Sequence, residues 1–316
     1  MHKQTVNELR LEVSITPQGP LLIKSGKEAG ADPTLLDMNF VRTVHAQLGE
    51  TVYLPGSSLK GTLRSYCEKI ARTVGVSCCD PLSRESCGKR QEATRGSSGA
   101  ETYNNMCTVC RIFGHTTLAS HLRISDAYPT SLARPRIEEV ELANKTEQRD
   151  GVAIDRISGA VAHGALFQLE VVTQGTFYTQ LFLKNFQLWQ VGLLAVALRD
   201  IAQGRVPLGF AKSRGLGRVA LGYDRLEISY PGQFGQDKAH DFGRRLYGVT
   251  AFPVEDMKAY GFTEEEPMAL PTPKEEEPEW GRVNIQYEGN EEIEALLKAT
   301  VSAWGDYAVA QRTRGD

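Results

Sequence analysis

The stretch Pro55-Gly-Ser-Ser-Leu-Lys-Gly-Thr-Leu-Arg64 opens a predicted helix with a proline, a glycine and two serines. Gly56 and the serines suit a tight turn and an N-cap, after which the unpaired N–H groups of the first helical turn face any nearby anion. Lys60 and Arg64 stand four residues apart, so both cations share one face of the helix. The stretch predicts a helix over about 57–74 whose N-terminus contacts phosphate, or else an ordinary helix cap.

A second glycine-rich stretch, Gly209-Phe-Ala-Lys-Ser-Arg-Gly-Leu-Gly217, lies between a predicted helix and a predicted strand. Its glycines allow close approach of the backbone to a ligand, and Lys212 and Arg214 supply positive charge. Its spacing fits neither the mononucleotide-binding loop nor the dinucleotide-binding fingerprint. Together with the first stretch, it predicts a polyanion that lies across two loops.

Composition and charge narrow the class of protein. The chain has 316 residues and a hydrophobic fraction of 41%, enough for one large domain or two modest ones. Residues 1–220 hold 26 Lys and Arg against 20 Asp and Glu, whereas residues 221–316 hold 10 against 19. We expect a basic body that binds nucleic acid and an acidic tail that is solvated or faces a basic neighbour. No apolar run is long enough for a bilayer span and the N-terminus is polar, which favours a cytoplasmic protein.

Hydrophobic periodicity predicts an α+β fold. Alternating apolar residues from Leu9 to Ile15 indicate the first strand, and the order that follows is strand–helix–strand twice, as in a split βαβ, or ferredoxin-like, unit. The later predicted elements are a strand at 121–127, a projecting hairpin at 137–163, a strand at 165–173, a helix at 187–203 and a strand at 218–228. We divide the chain into a core at 1–229 and an acidic extension at 230–316, with a linker at 263–279, an edge strand at 280–287 and a helix at 291–307.

All six cysteines lie within one segment, at positions 67, 78, 79, 87, 107 and 110. Because disulfides are disfavoured in the cytoplasm, Cys107-x-x-Cys110 with Cys87 and one of Cys78 or Cys79 predicts a structural four-thiolate zinc site. Cys79 is the preferred fourth ligand, and Cys67 is interpreted as a buried helix residue. The alternatives are a redox pair, scattered core thiols, or a site in which a histidine at 115 or 121 replaces one thiolate.

In chain order, these motifs resemble the RAMP superfamily. The matching residues are Pro55–Arg64, Cys107-x-x-Cys-Arg-Ile-Phe-Gly114, Asp126, Gly151-Val-Ala-Ile-Asp-Arg-Ile-Ser-Gly159 and Gly209–Gly217. More narrowly, they are similar to crRNA-binding backbone subunits of type III CRISPR effector complexes, of a type III-D-like kind. The resemblance spans about residues 8–228. It implies a modified RRM-like core with a zinc-stapled insertion at 75–115 and a thumb hairpin at 137–163.

The resemblance also implies the site residues. Family members that cut target RNA carry an aspartate before the Pro-Gly-Ser-Ser turn, where Asp37 stands in this chain and Asp32 is the less favoured substitute. Such a carboxylate would hold Mg²⁺ or Mn²⁺, or help to deprotonate a ribose 2′-OH. The residues implied to contact RNA are Arg42, Ser57, Ser58, Lys60, Arg64, Arg156, Gly209, Lys212, Arg214, Gly215 and Gly217. The structural zinc ligands are Cys79, Cys87, Cys107 and Cys110.

The function that follows is antiviral defence: an RNA-binding subunit of an interference complex that also acts as an endoribonuclease on target RNA. The expected partners are crRNA, target RNA, sister RAMP subunits and the other subunits of a type III effector complex, without a membrane. Three alternatives stay open at this point. They are an architectural subunit with an idle Asp37, a guide-processing endoribonuclease with His45 as general base, and a zinc-stapled scaffold that contacts only proteins.

Overall fold

The structure of the chain, a computed structural model, describes residues 4–26, 38–93, 97–232, 240–253 and 257–313. Its strands are β1 (Glu8–Pro17), β2 (Arg42–His45), β3 (Gly49–Val52), β4 (Leu122–Ile124), β5 (Glu147–Ile154), β6 (Val161–Val171), β7 (Phe177–Lys184), β8 (Val219–Pro231), β9 (Arg245–Leu246), β10 (Met268–Ala269), β11 (Glu277–Glu279) and β12 (Arg282–Glu288). Its α-helices are α1 (Gly56–Thr73), α2 (Cys87–Ala93), α3 (Gly99–Asn104), α4 (Thr108–Phe113), α5 (Ile137–Asn144), α6 (Leu188–Ala202), α7 (Met257–Tyr260) and α8 (Asn290–Thr313). Among these described helices, none combines the length and the apolar character that crossing a membrane requires.

Six strands form one sheet in the order β11, β12, β8, β1, β7, β4, and every neighbouring pair is antiparallel. The alternation of β1 explains which face is buried, because Leu9, Leu11, Val13 and Ile15 are each at most 6% exposed. Burial of each such side chain contributes about 1.5–3 kcal/mol, so a slip of one residue in register is strongly disfavoured. The predicted first strand and the mixed α/β class are confirmed.

Helices α1 and α6 pack against each other over the buried face of the sheet. Val13 of β1, Leu63 of α1 and Ile201 of α6 meet around a small apolar cavity between the two layers. The 57–74 and 187–203 helix predictions are confirmed to within one residue at each end, at Gly56–Thr73 and Leu188–Ala202. The same core therefore fixes the positions of both helices.

The C-terminal residues belong to this core. Strand β12 pairs with β8, which extends the sheet, and β11 pairs with β12 beyond it. Helix α8 packs on α6, where the rings of Trp189 and Tyr307 stack with centroids 4.0 Å apart. Gly192 permits this approach because any Cβ there would overlap the Thr300 carbonyl oxygen. The predicted strand and helix in this region form, but they cover the core instead of trailing from it.

The stretch 263–279 was predicted as a linker, and the structure corrects that prediction at Glu265. The Glu265 carboxylate accepts the N–H groups of Leu188 at 2.9 Å and Trp189 at 3.0 Å. It thereby supplies partners for the otherwise unpaired donors at the start of α6. Burial raises the pKa of Glu265 to about 7, and this effect outweighs that of the two hydrogen bonds, which lower the pKa. The charged, proline-rich composition concealed this anchoring contact.

The predicted hairpin at 137–163 is also corrected. Its first part forms helix α5, and the hairpin consists of β5 and β6, which pair from Glu147–Val171 to Ile154–Val161. Val140 and Ala143 are the buried residues of α5 and stand three positions apart, which is a helical spacing. The hairpin carries exposed apolar side chains: Val152, Ile154, Ile157, Val161 and Leu166.

Candidate metal centre and nucleic-acid interface

Four cysteine thiols converge in the insertion between α1 and β4. The sulfur atoms of Cys79, Cys87, Cys107 and Cys110 all lie within 4.8 Å of one another. The Cys79 sulfur is 3.7 Å from both the Cys110 sulfur and the Cys107 sulfur. A tetrahedral zinc ion with Zn–S bonds of about 2.3 Å requires sulfur atoms roughly 3.8 Å apart. These four cysteines, which are the four predicted from the sequence, could therefore bind a metal such as zinc.

Local structure brings the thiols together. Cys107 is the N-cap of α4, Cys110 lies in its first turn, and Cys87 is the first residue of α2. Gly114 ends α4 with a φ of 70°, and a Cβ added there would overlap the Leu118 carbonyl oxygen. The thiols are enclosed by a small hydrophobic cluster, separate from the main core, that includes Ala100, Tyr103, Met106, Leu118 and Tyr260.

Two arginines face the thiols. The Arg64 guanidinium lies 3.3 Å from the Cys110 sulfur and also donates to Glu68 Oε1 at 3.0 Å and to the Gly114 carbonyl at 2.9 Å. Arg90 Nη2 lies 3.5 Å from the Cys87 sulfur. Positive charge at these positions stabilises thiolates. Arg64 was predicted to contact RNA, but its guanidinium has three partners within the chain.

The titration of the thiols is coupled by their proximity. Burial raises the pKa of Cys79 to about 11. Hydrogen bonds from neighbouring thiols, with Cys110 foremost, lower the pKa of Cys107. The cluster therefore favours a Cys107 thiolate that accepts hydrogen bonds from the neighbouring thiols. A metal ion that binds there displaces the protons of those thiols.

The alternative ligands are not part of the group of four. Cys78 adjoins it, with its thiol 3.6 Å from the Cys79 carbonyl and in contact with the Cys107 thiol, but it is not among the four converging cysteines. The His115 ring contacts the Met106 sulfur, and His121 Nδ1 lies 2.9 Å from the Lys184 carbonyl. Cys67 is fully buried in the main core, as predicted.

The turn at Pro55–Arg64 is built differently from the prediction. Pro55 is the N-cap of α1 and makes no side-chain cap; instead, the Gly56 N–H donates to Asp126 Oδ1 at 2.7 Å. Gly56 is required because any Cβ would overlap the Ile124 carbonyl oxygen. The predicted serine cap is therefore wrong, and Asp126, at the end of the next strand, provides the anion. Sequence reasoning noted Asp126 only as part of the family pattern.

The exposed side of the same turn carries Ser57, Ser58 and Lys60, of which Ser57 is the most exposed. Burial, and then the charge of Arg64, lower the pKa of Lys60. A half-buried ammonium loses hydration, which a bound phosphate oxygen can replace.

The Gly209–Gly217 loop is fixed against the segment after β1. Gly209 and Gly217 have φ values of 77° and 91°, and a Cβ on either would overlap a carbonyl oxygen, of Leu22 and Leu208 respectively. The Phe210 N–H donates to the Leu22 carbonyl at 2.7 Å. Gly215 has a φ of 85° but faces open space. The glycines thus serve the folding of the loop, while its tip stays open.

The two cations of this loop differ in their surroundings. Burial lowers the pKa of Lys212, which starts the short 3-10 helix Lys212–Arg214. The Arg214 guanidinium lies 4.8 Å from the centroid of the Phe167 ring on β6. This cation–π contact connects the glycine-rich loop to the β5–β6 hairpin.

The two loops lie at the same end of the sheet. Residues Ile124 to Asp126, which hold the Pro55–Arg64 turn, leave β4 beside the start of β7, and the Gly209–Gly217 loop leads into the start of β8. Since β1 ends beside both of those strand starts, both loops face one edge of the fold. The strands beside which they lie, β4 and β8, are three strand spacings apart, or roughly 14 Å.

The remaining predicted residues lie in the β2–β3 and β5–β6 hairpins. Arg42 Nη2 is paired with Glu170 Oε1 at 2.5 Å, and Thr146 Oγ1 donates to the same carboxylate oxygen at 2.7 Å. Arg156 lies in the turn at the tip of the β5–β6 hairpin, where Asp155 accepts the backbone N–H groups of the next residues. His45 packs on Tyr128 with ring centroids 4.7 Å apart.

A sequence model of the RAMP superfamily matches residues 14–220, about two thirds of the chain. The chain belongs to the RAMP superfamily. The resemblance stated from the motifs is confirmed at this level, and membership indicates a CRISPR-associated RNA-binding role. A search of curated proteins finds no match to the chain.

The RAMP match includes the turn at Pro55–Arg64, the four converging cysteines, the hairpin and the Gly209–Gly217 loop. Strand β12 and helix α8, which complete the sheet and cover α6, lie beyond it. The predicted catalytic residue Asp37 and its substitute Asp32 fall inside the matched range but outside the residues that the structure describes.

Proposed function

We propose that this chain is a guide-RNA-binding backbone subunit of a type III CRISPR interference complex, of the type III-D-like kind. One observation carries the proposal: Lys60, near the start of α1, and Lys212, in the Gly209–Gly217 loop, both lie at the end of the sheet where β1 ends. The partners in this proposal are crRNA, target RNA, sister RAMP subunits and the other subunits of the effector complex.

The topology supports a modified RRM-like core. Within the sheet, the order β8, β1, β7, β4 with α1 after β1 and α6 after β7 is that of a split βαβ unit. The two loops at issue precede α1 and β8, so both are positioned by strands of this unit.

Charge at the loops supports contact with the RNA backbone. Among the described residues, neither Lys60 nor Lys212 forms an ion pair with a carboxylate. Burial removes water from each ammonium and thereby lowers its pKa. A phosphate oxygen bound there would replace the lost water as a hydrogen-bond acceptor. Ser57, Ser58 and Arg214 flank these positions. We exclude Arg64 from the contact surface, because its guanidinium faces the thiols.

The β5–β6 hairpin is the thumb in this proposal. Ile157, beside Arg156 at its tip, is 98% exposed, and Ile154 is 63% exposed. Exposed apolar residues of this size mark an interaction surface. The hairpin would insert beside the guide–target duplex and contact a neighbouring sister subunit.

The proposal also includes a structural zinc ion held by Cys79, Cys87, Cys107 and Cys110. A four-thiolate site leaves no coordination position for water, so the ion would stabilise the 75–115 insertion without catalysing a reaction.

We expect the double variant Lys60→Ala/Lys212→Ala to bind single-stranded RNA at least tenfold more weakly, because a charge-assisted hydrogen bond contributes about 1.5–3 kcal/mol. The salt dependence should also fall, with the slope of log K against log salt reduced by about 0.7 for each lost phosphate contact. Fluorescence anisotropy of a labelled crRNA repeat over a salt series measures both quantities.

Lys69→Ala is the matched control, since Lys69 is an exposed residue of the same helix. It should leave both quantities unchanged. RNA sequence should not alter the loss, because phosphate contacts carry no base information. An unchanged slope in the double variant would refute the loop contacts, and no retention of RNA at low salt would favour the protein-only scaffold.

Within the same proposal, Asp37 cleaves target RNA with Mg²⁺ or Mn²⁺. The Asp37 carboxylate would help to remove the proton of the ribose 2′-OH, whose oxygen then bonds to the adjacent phosphorus. The bond from phosphorus to the 5′-oxygen breaks, that oxygen takes a proton from water, and a 2′,3′-cyclic phosphate remains. In a complex assembled with guide RNA, Asp37→Ala should slow cleavage of complementary RNA by about 10²-fold or more, the usual contribution of an acid–base group. Guide binding should persist. Unchanged cleavage at every position would mean that Asp37 is not catalytic and that the subunit is architectural.

A further inference from the structure

The face of the sheet opposite α1 and α6 contains a second candidate site. A cavity of about 420 Å³ opens there, at the end of the sheet where β1 begins. Its polar and aromatic lining includes Arg10, Arg123, Phe182, Lys184, Glu227 and Arg282. The volume lies in the range of small-molecule sites. The Gly209–Gly217 loop lies beyond the other end of β1, roughly 25 Å away at about 3.4 Å per residue.

Phe182 forms the aromatic part of the lining. Its neighbours Leu181 and Leu183 are buried in the main core, so the alternation of β7 directs Phe182 to the opposite face. The Arg123 guanidinium carbon lies 4.2 Å from the ring centroid and that of Arg10 lies 5.7 Å away. An aromatic ring with adjacent guanidinium groups is the kind of platform on which an unpaired nucleobase stacks.

The charge balance favours a nucleotide over an acidic peptide or a free base. The carboxylates that line the cavity are paired: Glu8 with Arg282 at 2.7 Å and Glu227 with Arg225 at 3.7 Å. Arg123 and Lys184 form no ion pair among the described residues. The aromatic platform is thus combined with positive charge that no carboxylate neutralises.

We infer that this open face binds one unpaired nucleotide of single-stranded RNA, with the base on Phe182 and Arg123 and its phosphate near Lys184. The site is distinct from the loops of the proposed function. It would hold a strand on the opposite side of the sheet from α1 and α6.

The test is the affinity of the full chain for a labelled oligoadenylate decamer. Phe182→Ala should weaken binding about tenfold, within the range of one base–aromatic stack. Phe182→Tyr keeps the ring and should restore binding to within about twofold of the unsubstituted chain. Arg123→Ala should weaken binding more than Arg134→Ala, which removes an exposed arginine from a loop.

The same substitutions are then made on the Lys60→Ala/Lys212→Ala background. A Phe182→Ala effect that persists there separates this site from the loops, whether or not the loops bind RNA. Equal affinity of folded Phe182→Ala and unsubstituted protein would overturn the inference. So would a shift of Phe182→Ala from oligomer to monomer in sedimentation with unchanged RNA affinity, since the face would then contact a second copy.

Discussion

The Cys107→Ser variant is expected to lose zinc and, with it, the folded state of the 75–115 insertion. Cys107 is central to the cluster, with its thiol 3.7 Å from that of Cys79 and its backbone N–H 3.3 Å from the Cys87 sulfur. Structural zinc contributes about 10–16 kcal/mol in small zinc-binding peptides, so most of the order of such a segment depends on the ion. Zinc content of the purified chain and limited proteolysis within 75–115 measure the two effects.

Cys78→Ser is the matched control. Cys78 adjoins the cluster and its thiol contacts that of Cys107, but it is not among the four converging cysteines. We expect Cys78→Ser to retain one zinc ion per chain and Cys79→Ser to lose it. Loss of zinc in Cys78→Ser and its retention in Cys79→Ser would mean that Cys78, and not Cys79, is the fourth ligand. Full zinc content in both Cys79→Ser and Cys107→Ser would contradict the four-thiolate site.

The elements with strong local patterns were predictable from the sequence. The period of two from Leu9 to Ile15 and the apolar run of α6 are set by residues that face one core, so their spacing is visible without the fold. The cysteine cluster was predictable for a similar reason. Thiol chemistry and the Cys107-x-x-Cys110 spacing restrict the possible partners to a few neighbours.

Features that depend on distant segments were not predictable. The sequence places Lys60 and Arg64 on one helix face, yet it does not reveal that the longer Arg64 side chain reaches Cys110 and Gly114. Likewise, the Asp126 carboxylate accepts from the first N–H of α1 although it lies 70 residues further along the chain, just after β4. The pairing of β12 with β8 was not predictable either, because pairing between strands far apart in the chain leaves no local sequence pattern.

The Gly217→Ala substitution should destabilise the protein by more than about 3 kcal/mol. A left-handed conformation costs a residue with a Cβ about 1–2 kcal/mol. At Gly217 the added Cβ also overlaps the Leu208 carbonyl oxygen. Two hydrogen bonds hold Leu208 and Gly217 in place: the Leu208 N–H donates to the Gly217 carbonyl at 2.8 Å, and the Gly217 N–H donates to the Pro20 carbonyl at 2.8 Å. Moving the Leu208 carbonyl away from the new Cβ would therefore disturb both bonds. Urea denaturation measures the loss of unfolding free energy.

Gly215→Ala separates the two causes. Gly215 has a similar positive φ of 85°, but an added Cβ would meet no atom within 4 Å, so only the conformational cost of about 1–2 kcal/mol applies. The difference between the variants therefore reports the backbone overlap, which is the contact that holds the loop against the segment after β1. Equal losses in both would mean that the loop shifts away from Leu208 at little cost. Lys212 would then occupy no fixed position relative to Lys60, and the RNA contact proposed for the two lysines together would have no structural basis.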